Sequence, residues 1–299
     1  MANYPYKNLV FKGGGVKGTA YVGALKALED AGIMNNVVGL AGTSAGSIIA
    51  ALAACKISSD TIYAFLKGTD YTKFKDSGGI FGFVEDLARK FGPYKGDYFL
   101  NDWFKVFLKS QEIDPEITFE GVNQKFGTNL KVFSTDLNTQ TIQTFSKDTT
   151  PTVQIAEAVR ASMSIPLFFE AWQFSDGNPT NHLYVDGGVM YNYPIDTFDG
   201  VSQPDQTLGL FLTNITGPKN LSNNLDYGVS HLELYIKSLF ESLMNSQDLM
   251  VQDNNFEEKR TVQIDDFGIS ATDFDITQAQ VEELYNSGYS LVNKFLGIS

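Results

Sequence analysis

The first sixty residues alternate short apolar runs with segments of helical spacing. Residues 8–12, NLVFK, read as a short buried strand, and residues 37–42, VVGLAG, as a second. Between them, residues 18–31 place Tyr21, Val22, Leu25 and Leu28 at helical spacing, with Gly32 as a stop. Residues 44–55, SAGSIIAALAAC, are apolar all round and read as a buried helix. This βαβα opening predicts a parallel sheet covered by helices. Further along, 59–126 is mostly helical and rich in aromatics, and 129–146 reads as two strands joined by LNTQ. A helix over 151–164 must end before Pro166. Strands at 182–188, 207–214 and 260–265 and amphipathic helices at 226–247 and 277–296 complete the pattern. No repeat and no long Pro/Gly/Ser linker divides the chain. The expectation is one α/β domain, residues 1–299, with 59–126 as a helical insertion or cover.

Charge narrows the partners. The formal net charge is −13, which argues against nucleic acid, whose sequence-independent binding depends on phosphate neutralisation by Lys and Arg. It argues equally against simple adsorption to an anionic membrane. Cys55 is the one cysteine. It lies in an apolar helix and reads as a small buried thiol. The N-terminus lacks a signal-peptide pattern and no run is long enough to span a bilayer. The expected location is cytoplasmic, with peripheral contact at membranes allowed.

Two glycine-rich segments carry the candidate chemistry. Gly13, Gly15 and Gly18 in GGGVKG fit G-x-G-x-x-G between a strand and a helix. A dinucleotide site also needs an acid at the end of the second strand, and AGTSAG supplies none. A P-loop fails as well, because Lys17 is followed by Gly18 rather than Ser or Thr. The second strand ends instead at GTSAG, residues 42–46, a G-x-S-x-G nucleophile elbow flanked by Gly42 and Gly46. Alone, this pentapeptide suits equally well a Ser44 that only caps the following helix.

The partner base separates the two readings. Of the two histidines, His231 falls on the polar face of its helix and His182 precedes any downstream acid. An elbow after one strand also comes too early for a Ser-acid-His hydrolase. A carboxylate is then the base. Asp186 ends a strand and is followed by Gly187 and Gly188, which permit a tight turn and the close approach of another segment.

Taken together, GGGVKG (13–18), GTSAG (42–46), ASMSIPLFF (161–169) and DGG (186–188) resemble, in that order, the patatin-like phospholipase family, bacterial branch. The resemblance implies a three-layer α/β/α fold with a central, mostly parallel sheet. It implies Ser44 as nucleophile and Asp186 as base, with an oxyanion hole from the N–H groups of Gly14, Gly15 and Val16. Gly13, Lys17, Gly18, Gly42, Gly46, Gly187 and Gly188 would support these loops. Many members carry Arg where this chain has Lys17, so that side chain either orients a phosphate or packs the loop. The implied activity is that of a serine lipid acyl hydrolase of phospholipase A or lysophospholipase type. Its substrate would be a phospholipid, lysophospholipid or other acyl ester, met transiently at a membrane or micelle surface. No cofactor and no metal are expected. An acyltransferase using the same dyad, or a catalytically silent lipid-binding module, are the alternatives. The aromatics Phe81, Phe83, Phe91, Tyr94, Tyr98, Phe99, Trp103, Phe104 and Phe107 are either core or the wall of an acyl channel.

Overall fold

The hydrophobic runs of the opening pair side by side. In the computed structural model, which describes residues 4–76, 87, 89–216, 231–252 and 255–298, β1 (Asn8–Phe11) leads through the glycine segment into α1 (Thr19–Asp30). β2 (Gly39–Thr43) then leads into α2 (Ala45–Ala54). Both strands are buried along their whole length, because side chains on both faces of the sheet are covered. Leu9 and Phe11 enter the larger core, whereas Val10 points the other way into a cluster with Ala41, Phe133, Phe198 and Phe211.

α3 (Ser59–Lys67) starts at Ser58, whose side chain accepts the Thr61 N–H. β3 (Asn129–Asp136) and β4 (Thr141–Ser146) form the expected antiparallel hairpin. α4 (Ile155–Ser162) is shorter than the 151–164 pattern predicts. Backbone groups just before it are engaged elsewhere: Phe119 N–H donates to Val153 O at 3.2 Å and Ile155 N–H to Ile117 O at 3.0 Å. β5 (Tyr184–Asp186), β6 (Thr207–Thr213), α5 (Leu232–Gln252), β7 (Thr261–Asp265) and α6 (Gln278–Phe295) follow. α6 opens with a full capping box between Thr277 and Gln280.

Seven strands make one sheet, in the order β4-β3-β2-β1-β6-β7, with β5 also on β3. β3, β2, β1, β6 and β7 run parallel. β4 and β5 are antiparallel to β3. The sheet is mixed and mostly parallel and is flanked by helices, as the resemblance implies; the βαβα opening predicts its parallel strands. No helix among the described residues is long and apolar enough to cross a membrane.

β3 brings the site together. Its first five residues pair with β2, from Asn129 opposite Gly39 to Phe133 opposite Thr43. Its last three pair with β5, from Ser134 opposite Asp186 to Asp136 opposite Tyr184. β4 occupies the other edge of β3, so β2 and β5 lie on the same edge and run toward each other. They meet where Phe133 is followed by Ser134. Ser44, which follows Thr43, and Asp186 are thereby delivered to one place.

The aromatic segment divides between the expected roles. Tyr94, Phe99, Trp103, Phe104 and Phe107 are buried, while Phe91 is exposed. Phe81 and Phe83 lie outside the described residues. Tyr98–Phe104 forms a π-helix, whose wider turn sets the rings of Phe99 and Trp103 5.3 Å apart.

Candidate active site

Ser44 sits at φ 51° and ψ −127°, between the end of β2 and the start of α2. Positive φ is a conformation that favours glycine and strains other residues. The flanking glycines make the bend sterically feasible. A methyl group on Gly42 would lie 2.3 Å from Gly46 O, and one on Gly46 would lie 2.4 Å from Phe11 O. Three hydrogen bonds hold the bend. Ser44 N–H donates to Ser162 Oγ at 2.9 Å, and Ser162 Oγ donates to Phe133 O at 2.5 Å. Ser47 Oγ donates to Ser44 O at 2.6 Å. The Ser44 hydroxyl makes no capping hydrogen bond to α2, so the reading of Ser44 as a simple helix cap is not realised.

Asp186 is fully buried. Its N–H donates to Ser164 O at 2.8 Å, and its Oδ1 accepts the Gly188 N–H at 2.7 Å. Oδ2 accepts no hydrogen bond of ordinary geometry. The Ser44 hydroxyl approaches this carboxyl more loosely and still favours its charged form. Burial is the dominant influence and pushes the carboxyl up to about 7, with partial relief from the Ser44 hydroxyl and the Gly188 N–H. A carboxyl at that value is a far better base than a free aspartate.

The glycine segment forms a short turn, Gly15–Gly18, beside Ser44. Gly15 has φ 58°, and a methyl group there would lie 1.8 Å from Ala271 O. Only glycine lets the loop over 266–272 press this close. Val16 N–H, one of the three expected donors, is committed to Ala271 O at 3.0 Å. Gly14 and Gly15 N–H donate to no backbone acceptor among the described residues.

Lys17 Nζ lies 2.6 Å from Asp266 Oδ2, with both side chains largely buried. Asp266 Oδ1 in turn accepts the Gly268 N–H. The lysine therefore braces the loop that holds Val16. Lys17→Met is expected to lower unfolding stability by on the order of 2 kcal/mol, since it leaves Asp266 buried without its partner. Relative rates on lipids of different headgroup should stay as in the wild type. Thermal unfolding and a headgroup panel check this; a changed headgroup ratio would assign Lys17 to substrate instead.

An apolar slot of about 60 Å³ opens at Ser44. Val16, Ile49, Leu66, Phe99, Trp103 and Phe274 contribute to its walls. Phe99 and Trp103 are thus both core residues and slot wall. Neither histidine hydrogen-bonds to Ser44 or Asp186. His182 Nδ1 pairs with Asp136 Oδ2 at 2.7 Å. Burial pushes the Cys55 thiol up to about 12, in keeping with an inert buried sulfur.

Several supporting residues were not assigned from sequence. Ser162 and Ser164 lie in the ASMSIPLFF block, whose small polar residues after an apolar helix were the available signal. Arg160 is fully buried beneath them, and its guanidinium donates to Ser164 Oγ and Lys95 O, each at 2.5 Å. Burial lowers that guanidinium to about 10. Asp266, Ala271 and Asn192 carried no local signal.

The chain is similar to several known proteins. The family described as patatin-like phospholipase matches residues 9–199. An uncharacterized protein, R571, of Acanthamoeba polyphaga mimivirus is 32% identical over 96% of this chain and 93% of its own. A probable lipid hydrolase, 463L, of Invertebrate iridescent virus 6 is 27% identical over 64% of this chain and 62% of its own. Among solved structures, VipD from Legionella pneumophila superposes with a TM-score of 0.65 at 19% identity, covering 98% of this chain and 67% of that one. That likeness speaks for the fold. The family match covers the glycine segment, the serine elbow and the DGG turn, so the chain belongs to the patatin-like phospholipase family.

Proposed function

We propose that this protein is a serine lipid acyl hydrolase that cleaves carboxylic ester bonds of phospholipids or lysophospholipids through an acyl-enzyme. The observation that carries the reading is the strained Ser44 facing a wholly buried, weakly acidic Asp186. Family membership and a relative named as a probable lipid hydrolase support it.

In the first step the Asp186 carboxylate accepts the Ser44 proton as Oγ bonds to the ester carbonyl carbon. The carbonyl oxygen becomes an oxyanion, which the free N–H groups of Gly14 and Gly15 stabilise. One such donor is worth about 3 kcal/mol in acyl transfer. The acyl chain occupies the apolar slot, which has no charged wall to desolvate. Collapse breaks the ester C–O bond, and the leaving alcohol takes the proton from Asp186. Water then attacks the acyl-enzyme and gives a proton to Asp186. The second collapse releases the fatty acid and returns that proton to Ser44. In this reading residues 1–299 act as one domain, and Leu66, Phe99 and Trp103 of the 59–126 segment form slot wall.

The test is fluorophosphonate labelling with peptide mass spectrometry, followed by a lipid panel with product analysis. Label on Ser44 and release of free fatty acid are expected. A labelled protein that transfers acyl groups to an added alcohol without releasing acid would make it a transferase. Absence of label would remove the nucleophile.

A further inference from the structure

Among the described residues, three buried polar atoms around the dyad have no hydrogen-bond partner of ordinary geometry: Asp186 Oδ2 and both terminal atoms of the Asn192 carboxamide. Asn192 is only 2% exposed. An unsatisfied buried polar group costs about 1–3 kcal/mol. Folds retain such groups where a polar ligand completes them.

The backbone of Asn192 is pinned. Gly13 N–H donates to its carbonyl at 3.0 Å, and its own N–H donates to Gln247 Oε1 at 3.0 Å. Gln247 Nε2 also donates to Gly188 O at 2.6 Å and Val189 O at 3.1 Å. The side chain alone is left without partners, and two glycines locate it. A methyl group on Gly13 would lie 2.3 Å from Asn192 Oδ1 and 3.4 Å from Ser44 Cβ. One on Gly188 would lie 3.0 Å from Asn192 Oδ1 and 2.9 Å from Asp186 Oδ1. The carboxamide therefore adjoins both members of the dyad. It does not line the apolar slot, so a polar group held here would not compete with an acyl chain.

We propose that Asn192 is a positioning residue that holds the water which deacylates Ser44. This rests on the hydrolase reading above. The water donates one hydrogen to Asn192 Oδ1 and the other to Asp186 Oδ2, and its oxygen faces the acyl carbon. On attack a C–O bond forms, and the O–H bond to Asp186 breaks with the proton passing to the carboxylate. Collapse then breaks the acyl C–Oγ bond, and Ser44 recovers the proton. Acylation needs no such water, so Asn192 acts on the second half of the cycle.

The experiment uses the full chain carrying Asn192→Leu, close in size and without polar atoms, or Asn192→Ala. Fluorophosphonate labelling of Ser44 reports the first half-reaction. A p-nitrophenyl ester with rapid mixing and intact-protein mass spectrometry reports the second. Labelling within about twofold of wild type is expected, with steady-state turnover down on the order of 10- to 100-fold. An initial burst and an accumulated acyl adduct should accompany it. Hydroxylamine, a nucleophile that needs less help from a base, should restore turnover. Labelling and turnover that fall in parallel, unchanged turnover, or loss of labelling in both variants would each overturn the proposal. A wild-type protein that takes no label on Ser44 would instead overturn the hydrolase reading.

Discussion

Ser44→Gly is expected to abolish ester hydrolysis and to leave a more stable protein. The rate should fall on the order of 10³-fold or more, because in the proposed mechanism Ser44 supplies the attacking oxygen. Stability should rise because Ser44 occupies φ 51° and ψ −127°, where a non-glycine residue stores about 1–3 kcal/mol of strain. Glycine loses part of that gain through the greater entropy of its unfolded chain, about 0.5–1 kcal/mol. The net expectation is about 1 kcal/mol. Ser44→Ala is the control, since it removes the nucleophile and keeps the Cβ that causes the strain. Both variants should be inactive, and only the glycine variant should unfold at higher temperature than wild type. A glycine variant less stable than the alanine variant would show that the bend is not strained.

Asp186→Asn should be nearly as damaging, with a loss on the order of 10³-fold, since an amide cannot accept the serine proton. In the wild type, the base must be ionised. The group sits at about 7, so kcat/KM should fall tenfold per pH unit below that value. Stability runs the opposite way. An unfolded aspartate ionises near 3.9. Between that value and about 7 the folded protein still holds a proton that the unfolded chain has released. Stability therefore decreases as pH rises through this window, by up to about 4 kcal/mol, and the deficit stays constant above it. Asp186→Asn removes this term. The variant should be more stable than wild type at pH 8, with the difference vanishing near pH 4. Denaturant titrations at the two values check it; equal stability at pH 8 would mean the carboxyl is not destabilised by burial.

The order of strands and helices was legible because each apolar run matches one period over several residues. The parallel strands of the opening were legible for the same reason, the mostly parallel sheet as a whole from the family resemblance, and the elbow because glycine spacing around Ser44 is a local requirement. What escaped the sequence depends on distant segments. Ser162, which holds the Ser44 N–H, is 118 positions away. Asp266, which braces Lys17, is 249 positions away. The resemblance implies Val16 as an oxyanion donor, and only the fold shows that its N–H donates to Ala271 O, 255 positions away. Helix α4 starts late because residues 117–119 claim backbone groups at 153–155. The aromatics of the insertion were visibly apolar, but spacing alone did not say which would border Ser44.

The meeting of β2 and β5 on one edge of β3 also bears on when the protein becomes active. A ribosome delivers Ser44 and the glycine segment first, β5 later, and the Ala271 brace after β5. Under the proposed chemistry, a nascent chain that has folded β1 through β3 has a nucleophile without a base and an oxyanion loop without its clamp. On that chemistry, ester cleavage is expected only once β5 and residue 271 have joined the fold. A fragment that stops short of β5 is expected to hydrolyse no ester, however well its first strands are formed.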